Sequence, residues 1–431
     1  MTAPDLRLAS ALFKALHDAS FDGVGITRDT YGEGEQRAHD IVAAKARELG
    51  LEVRTDAALN LYMTLPGRDR SLPAVMTGSH LDSVPRGGNY DGAAGVIAGL
   101  AVLAGWVAAG YRPEADVTVM AVRAEESVWF PVSYAGSKAA FGLLPRGATA
   151  LMRQDGLGTL GERIDALKGD SAVLEAGEAY LDPKKIARFV ELHIEQGPVL
   201  LLENLTVGIV TGIRGSFRYR DAKILGQYGH SGATPRAHRH DAVVAVAELI
   251  SALNERWAEL EEEEGRDLSV TFGRVFTDPE QADFSKVSGR VDFCIDVRSF
   301  EPATLTRFEE ILKLEVARIE QRTGTRFELG ERTSSTPAPM DPQLQKLLLD
   351  SARALDIPAR AMPSGAGHDT ATFALAGVPT VMIFIRNENG SHNPDEKMEM
   401  ADFAAGTRLL SVAMAHPVVA DTSLQGAHSD A

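Results

Sequence analysis

The run GAAGVIAGLAVLAGWVAAG, from Gly92 to Gly110, is 19 residues without a charge. A helix apolar on every side has to be surrounded, by protein or by lipid. By length alone, such a run could span a bilayer, which needs roughly 20 apolar residues. Its content argues otherwise: it is mostly Ala and Gly, with few Leu, Val and Ile, and it follows a polar segment that carries His80, Asp82 and Asp91. The run therefore reads as a buried helix packed under a sheet. Enclosing it takes a large core. At 431 residues the chain is long enough for two or three domains. With 44% apolar and 24% charged residues, disorder is excluded as its main state.

Charge and cysteine narrow the function classes. Lys and Arg number 44 against 60 Asp and Glu, a net charge of -16, which argues against nucleic acid or an anionic membrane as the main partner. Cys294 is the only cysteine, so no internal disulfide and no CxxC-type zinc site is possible. The start, MTAPDLRLAS, lacks a basic segment followed by an apolar run, so no secretory signal is read and the expected location is cytoplasmic.

Periodicity predicts helices at 5–19, 35–49 and 92–109, and strands at 51–55, 61–65, 74–78, 116–122, 188–194 and 206–212. Residues 143–183 are mixed and give no clear pattern. Strands alternating with helices imply a largely parallel sheet covered on both faces. Between 217 and 330 the order becomes strand, helix, strand, strand, helix, strand, a ferredoxin-like unit. Its acidic run Glu261–Glu264 reads as a solvated helix end. The α/β pattern then resumes with helices near 342–355, 369–376 and 400–414 and strands at 357–361 and 379–385. The expected fold class is thus α/β: a larger domain, 1–212 and 331–431, with a mostly parallel, mixed sheet, carrying an inserted ferredoxin-like α+β domain at 213–330. The last dozen residues read as a frayed tail.

There is no GxSxG elbow, no GxxxxGK loop and no HExxH helix, so serine-hydrolase, phosphate-loop and zincin chemistries lose their usual support. What remains is a set of His and acidic residues at strand ends, where α/β proteins build sites. TGSHLDSVPRGGNYDG offers His80, Asp82 and Asp91. An imidazole and a carboxylate suit Zn²⁺, Mn²⁺ or Co²⁺, and a His-x-Asp pair suits a ligand with the carboxylate that fixes its tautomer. Taken alone, these could equally be turn residues. VMAVRAEESV ends a strand in Glu125 and Glu126; such a pair is usually charged surface, but two adjacent carboxylates are costly without a cation. RFVELHIEQGP places His193 among apolar neighbours, where a satisfied core histidine is the ordinary reading. NGSHNPDE puts His392 in a loop just after a strand. Together they make three histidines and at least two carboxylates around one predicted sheet, the kind of set that two metal ions sharing a carboxylate require.

Seven stretches, in order and across most of the chain, carry a resemblance: GSHLDSVPRGGNYDG (78–92), RAEES (123–127), ELHIEQGP (191–198), GHSGATP (229–235), DVR (296–298), SGAGHD (364–369) and GSHNPDE (390–396). They resemble the M20 metallopeptidase family, and within it the hydantoinase/carbamoylase-type amidohydrolases, which include N-carbamoyl-L-amino-acid hydrolases, β-ureidopropionases and allantoate amidohydrolases. The resemblance implies two divalent ions, Zn²⁺ before Mn²⁺ or Co²⁺. Asp91 would bridge them, with His80 and His193 on one ion and Glu126 and His392 on the other. Asp82 would orient His80, the Asp91–Gly92 peptide would be cis, and Glu125 would be the general base. His230 would stabilise the tetrahedral intermediate from the partner subunit, so the small domain would serve as lid and dimerisation domain of a homodimer. Gln196, Gly365 and Gly367 match substrate-binding positions, and Arg298 the arginine that grips a substrate carboxylate.

Two departures stand out. Ser285 occupies a position where the family has an asparagine near the substrate carboxylate, and Arg386-Asn387 replaces a common Pro-Ser, adding charge that could favour another acidic group. The reading is a metal-dependent amidohydrolase cleaving a linear ureido or amide C–N bond in a small carboxylate-bearing substrate. An N-acyl-amino-acid amidohydrolase or a dipeptidase of the same superfamily is the alternative. A catalytically silent scaffold protein would have lost Glu125 or a ligand, and this chain keeps both.

Overall fold

The computed structural model describes residues 2–418; the tail expected beyond 419 lies outside the described residues. The chain divides into two units. One comprises Met1–Thr211, Met340–Pro363 and His368–Ala431, and the other Gly212–Pro339 with Ser364–Gly367.

In the larger unit, α1 (Leu6–Ser20) starts where the Asp5 carboxylate accepts the amides of Arg7 and Leu8, and it buries Ala9, Leu12, Phe13 and Leu16 at helical spacing. α2 (Glu33–Glu48) follows, then β1 (Glu52–Thr55), β2 (Leu61–Leu65) and β3 (Ala74–His80). The uncharged run forms α3 (Ala93–Ala108), with every residue from Ala93 to Trp106 buried. It lies close on the sheet because its contact face is small: a Cβ at Gly95 would sit 2.4 Å from the Leu192 carbonyl oxygen. β4 (Val117–Val122), α4 (Ala135–Ala140), α5 (Leu160–Ala166), α6 (Ser171–Ala176), β5 (Ile186–Ile194), the single turn α7 (Val199–Leu202) and β6 (Val207–Ile213) come next.

The sheet of this unit runs β1-β2-β4-β3-β5-β16-β6, where β16 is Thr380–Ile385. Its four central strands, β4, β3, β5 and β16, are mutually parallel, whereas β1 pairs with β2, β2 with β4 and β6 with β16 in antiparallel fashion, so the sheet is mixed. Both faces are covered, and alternation along the strands divides the core in two. Val117, Val119 and Ala121 point to the side of α1 and α3, while Met120 and Val122 point to the opposite side. There Phe189 stacks on Phe373 at 3.8 Å between centroids, and Phe141 meets Phe373 edge-on at 5.0 Å. Because the four central strands run the same way in register, His80 lying opposite Val122 and His193 opposite Phe384, their C-terminal ends share one edge of the sheet. No helix among the described residues is long and apolar enough to cross a membrane.

In the smaller unit, β7 (Gly215–Leu225), α8 (Ala242–Ala258), β9 (Ser269–Thr277), β11 (Arg290–Ser299), α9 (Pro302–Thr323) and β12 (Arg326–Glu328) follow one another, with the two-residue strands β8 (Gly229–His230) and β10 (Lys286–Val287) paired between them. The sheet order is β12-β7-β11-β9, all antiparallel, and both helices pack on it through Leu249, Leu253, Phe308 and Leu312. β13 (Arg332–Ser335) also pairs with β7, so this unit continues past residue 330. β14 (Ala338–Pro339) pairs with Gly212 and Ile213, which sets the outgoing and returning segments side by side. Glu259–Glu263 extends α8 as a π-helical turn, and Glu264 pairs with Arg307.

Returning to the larger unit, α10 (Pro342–Ala354), β15 (Ala359–Ser364), α11 (Asp369–Leu375) and α12 (Met400–Ala415) complete the order; β15 pairs with β6.

Candidate metal centre

His80 is the last residue of β3, and the chain turns directly into Asp82. Glu125 and Glu126 follow β4, and His193 is the penultimate residue of β5. The loop after β16 carries His392 in a left-handed conformation (φ 62°). Asp91 stands just before α3. These five elements deliver their side chains to one place around the Asp91 carboxylate. Its Oδ1 lies 3.5 Å from His80 Nε2 and 3.2 Å from His193 Nε2; its Oδ2 lies 3.6 Å from His392 Nε2. His392 Nε2 is also 3.2 Å from Glu126 Oε1. One carboxylate therefore faces two groups of donors, a different oxygen toward each. Both groups, His80 with Asp91 and His193, and Asp91 with Glu126 and His392, are close enough to share an ion.

The ring tautomers support that use. His80 Nδ1 is 3.0 Å from the Asp82 carbonyl oxygen and 3.4 Å from its carboxylate, and His193 Nδ1 is 2.9 Å from the Ile194 carbonyl oxygen. Each Nδ1 faces only acceptors and so carries the proton. In the neutral ring each Nε2 then faces the Asp91 carboxylate with its lone pair, an arrangement that a cation between them would satisfy. Electrostatics says the same. Burial opposes a charge on His80, but Glu125 and the contacts with Asp82 and Asp91 outweigh it and raise its pKa well above the ordinary value. The hydrogen bond to Glu126 raises His392 to about 9. Burial, then Glu126, Asp369 and Asp82, holds the Glu125 carboxyl well above the carboxylate range despite the pull of His80. Positive charge is what this cluster lacks, and a divalent ion would supply it. The donor set fits such ions: imidazole and carboxylate without thiolate.

A third group, Glu191, His193 and His368, is equally close. Its carboxylate is already engaged: Ser79 Oγ donates to Oε1, and the Thr370 amide and hydroxyl both donate to Oε2.

The sequence profile of peptidase family M20/M25/M40 matches residues 76–416. The chain belongs to this family. Among its curated relatives, the allantoate amidohydrolase of Escherichia coli (strain K12) is 34% identical over 396 residues, covering 90% of this chain and 92% of that one. The N-carbamoyl-L-amino-acid amidohydrolase of Paenarthrobacter aurescens is 31% identical over 394 residues, covering 91% and 93%. Among solved structures, an amidase of the hydantoinase/carbamoylase family from Burkholderia multivorans superposes with a TM-score of 0.85 at 28% identity, covering 96% of this chain and 97% of that one.

One expectation drawn from the M20 resemblance is corrected. No cis peptide bond occurs among the described residues, so the Asp91–Gly92 bond is trans. The turn is made by Gly92 itself, at φ 66° and ψ -49°, where a Cβ would meet the His80 ring at 2.5 Å. The Gly92 amide donates to His193 Nε2 at 3.2 Å.

The remaining candidates fall in both units. In the larger one, Gln196 Nε2 donates to Asp91 Oδ2 at 3.0 Å. Arg386 turns to the buried Asp402 through two nitrogens and to Asn204 through the third. In the smaller one, exposed His230 accepts the Gly232 and Ala233 amides on Nδ1 at 3.1 and 3.2 Å. The ring proton therefore resides on Nε2, leaving a donor at its outer end. Arg298 is gripped by Asp296 through Nε and Nη2 and donates from Nη1 to the Gly365 carbonyl oxygen; Gly367 lies two residues further along the chain, just past the bend. Ser285 closes a turn on Asp283 and accepts the Ser231 amide on its carbonyl oxygen.

Several supports went unread in the sequence. Thr30 donates to Asp82 Oδ2 at 2.7 Å. Glu396, inside the quoted GSHNPDE stretch, accepts the Tyr90 and Asp91 amides at 2.7 and 3.2 Å. Burial pushes its carboxyl up to about 7. Glu35 accepts the Ala124 amide at 3.1 Å from the first turn of α2, where an acid is an ordinary helix-start residue and gave no signal.

Proposed function

We propose that the protein is a binuclear metal amidohydrolase that cleaves a linear ureido or carbamoyl C–N bond in a small carboxylate-bearing substrate. The observation that carries this is the two-sided Asp91 carboxylate, with Oδ1 toward His80 and His193 and Oδ2 toward His392, which itself meets Glu126. As an M20-family chain with relatives named for allantoate and N-carbamoyl amino acids, it acts on C–N bonds outside peptides.

His80, Asp91 and His193 would hold one divalent ion, and Asp91, Glu126 and His392 the other. When bound, such a pair supplies Lewis acidity and lowers the pKa of water. Glu125 takes the proton of the attacking water, whose oxygen bonds to the substrate carbonyl carbon. Its burial among carboxylates favours holding that proton. The C–N bond then breaks, and Glu125 passes the proton to the departing nitrogen. His230 donates from Nε2 to the oxygen that gains charge, a role suited to its tautomer. In this reading the residues around 213–330 form a lid and dimerisation domain, and His230 acts on the partner subunit's centre. Arg298, its fork oriented by Asp296, grips the substrate carboxylate. Asp82 orients His80, and Gln196 steadies Asp91.

The test is a substrate panel on protein stripped of metal and reloaded with Zn²⁺, Mn²⁺ or Co²⁺. Ammonia release from allantoate, ureidoglycolate or N-carbamoyl-L-amino acids is the expected result. Hydrolysis confined to N-acyl amino acids or dipeptides would move the chain to the alternative activity. No turnover across the panel would sink the amidohydrolase reading.

A further inference from the structure

Glu125 is held by its own backbone, and that backbone is held by side chains from elsewhere. The Arg123 amide donates to Asn60 Oδ1 at 2.9 Å, the Ala124 amide to Glu35 Oε1 at 3.1 Å, and the Glu125 and Glu126 amides to the two oxygens of Asp82, each at 3.1 Å. On the carbonyl side, the amides of Gly136, Ala135 and Tyr134 donate to Arg123, Ala124 and Glu125. Within this bracket Ala124 sits at φ 56°, in the left-handed region that an alanine leaves when it can. Ala124 is buried, so its amide has no water to turn to.

Glu35 is the group that meets that amide. It is fully buried in the first turn of α2. Its other oxygen accepts the Tyr31 amide at 2.6 Å and Arg123 Nη1 at 3.1 Å. One carboxylate thus grips the strained peptide and the residue before it together. We infer that Glu35 is a positioning residue: by holding the Ala124 amide it keeps the left-handed turn closed and so aims Glu125 and Glu126 at the metal centre. The inference rests on the reading of Glu125 as base and Glu126 as ligand.

Glu35→Gln tests it. The amide can accept at one end only, and two donors, Tyr31 N–H and Arg123, compete for its oxygen against one. Its NH₂ is then left opposite the Ala124 amide, donor against donor, and the turn is released. The expected result is one of the two cation-binding steps weakened about 10- to 100-fold in a Zn²⁺ titration, the range for lost supports of metal ligands. Turnover falls by a similar factor with KM nearly unchanged. The distinguishing readout is rescue. In Glu35→Gln/Ala124→Gly the residue at 124 keeps a positive φ without strain, so the double variant recovers Zn²⁺ affinity and kcat several-fold over Glu35→Gln alone. A role limited to packing α2 predicts no recovery, since the added glycine only loosens the chain. Unchanged Zn²⁺ binding in Glu35→Gln, or no rescue in the double variant, overturns the inference. The titration needs no substrate, so failure of the proposed activity is told apart from failure of this inference. If Glu35→Gln does not fold, Glu35→Asp, which keeps the charge but is one methylene shorter, is read in the same titration by the same criteria.

Discussion

Asp82→Asn separates metal support from folding. The Asp82 carboxylate is fully buried and surrounded by donors: Oδ2 accepts Thr30 Oγ1 at 2.7 Å and the Glu126 amide at 3.1 Å, and Oδ1 accepts the Glu125 amide at 3.1 Å and lies 3.4 Å from His80 Nδ1. An asparagine keeps its oxygen where two donors already point, at the Oδ2 position. Its NH₂ then meets the Glu125 amide and His80 Nδ1, donors both. One charge-assisted hydrogen bond is lost, worth about 1.5–3 kcal/mol, and a buried amide is left unpaired at about 1–3 kcal/mol. An opposing effect is present only without metal: removing one charge relieves repulsion within a crowd that includes Glu125, Glu126 and Asp369. With cations bound that crowding is already neutralised, and the loss stands alone. The metal-free protein should therefore melt within a few degrees of wild type, while the Zn²⁺-loaded variant should fall clearly below its wild-type counterpart. By calorimetric titration, Zn²⁺ affinity should drop about 10- to 100-fold, or about 1.4–2.8 kcal/mol. Equal losses of stability with and without Zn²⁺, together with unchanged affinity, would refute the reasoning.

The other predictions concern chemistry more directly. Glu125→Gln should keep metal content near normal and lower turnover by about 10²–10⁴-fold, since only proton transfer is lost; near-normal turnover rules out Glu125 as base. His230→Ala should fold and lose about 10²–10³-fold in kcat. Mixed with the Glu125 variant it should recover some activity through mixed dimers, and no recovery counts against a site shared between subunits. Proton linkage supplies a further check. With His392 raised to about 9 in the metal-free protein, its ring is protonated at neutral pH and must lose that proton to become a ligand. Affinity on that side should rise with pH up to about 9 and level off above it. Calorimetry in buffers of different ionisation enthalpy should register proton release at pH 7, and a pH-independent affinity would contradict the assignment.

The features legible in the sequence were those with a long or repeated signal. The uncharged run from Gly92 gave α3, because a helix buried on all sides leaves no other pattern. Short, largely apolar runs gave β4 and β5 within two residues of their bounds. The segment 143–183 was not legible because α5 and α6 have only seven and six residues, too few for a helical period to stand out. The readable clue there was capping: Thr159 and Glu162 form a capping box, and Asp170 caps α6. At the centre, the ligand candidates were legible because His and Asp at strand ends are uncommon in a core. Their supports were not. Glu35, Thr30 and Glu396 reach their partners from 52 to 306 positions away in the chain, and each is an ordinary surface residue by type. Arg386, beside a motif in sequence, turns its guanidinium to Asp402 in space.

The most direct test of the account is a crystal structure of the Zn²⁺-loaded protein with anomalous data at the zinc edge. Two peaks should flank Asp91, one against His80 and His193 and one against Glu126 and His392. A single peak among Glu191, His193 and His368, or no peak at Asp91, would contradict it.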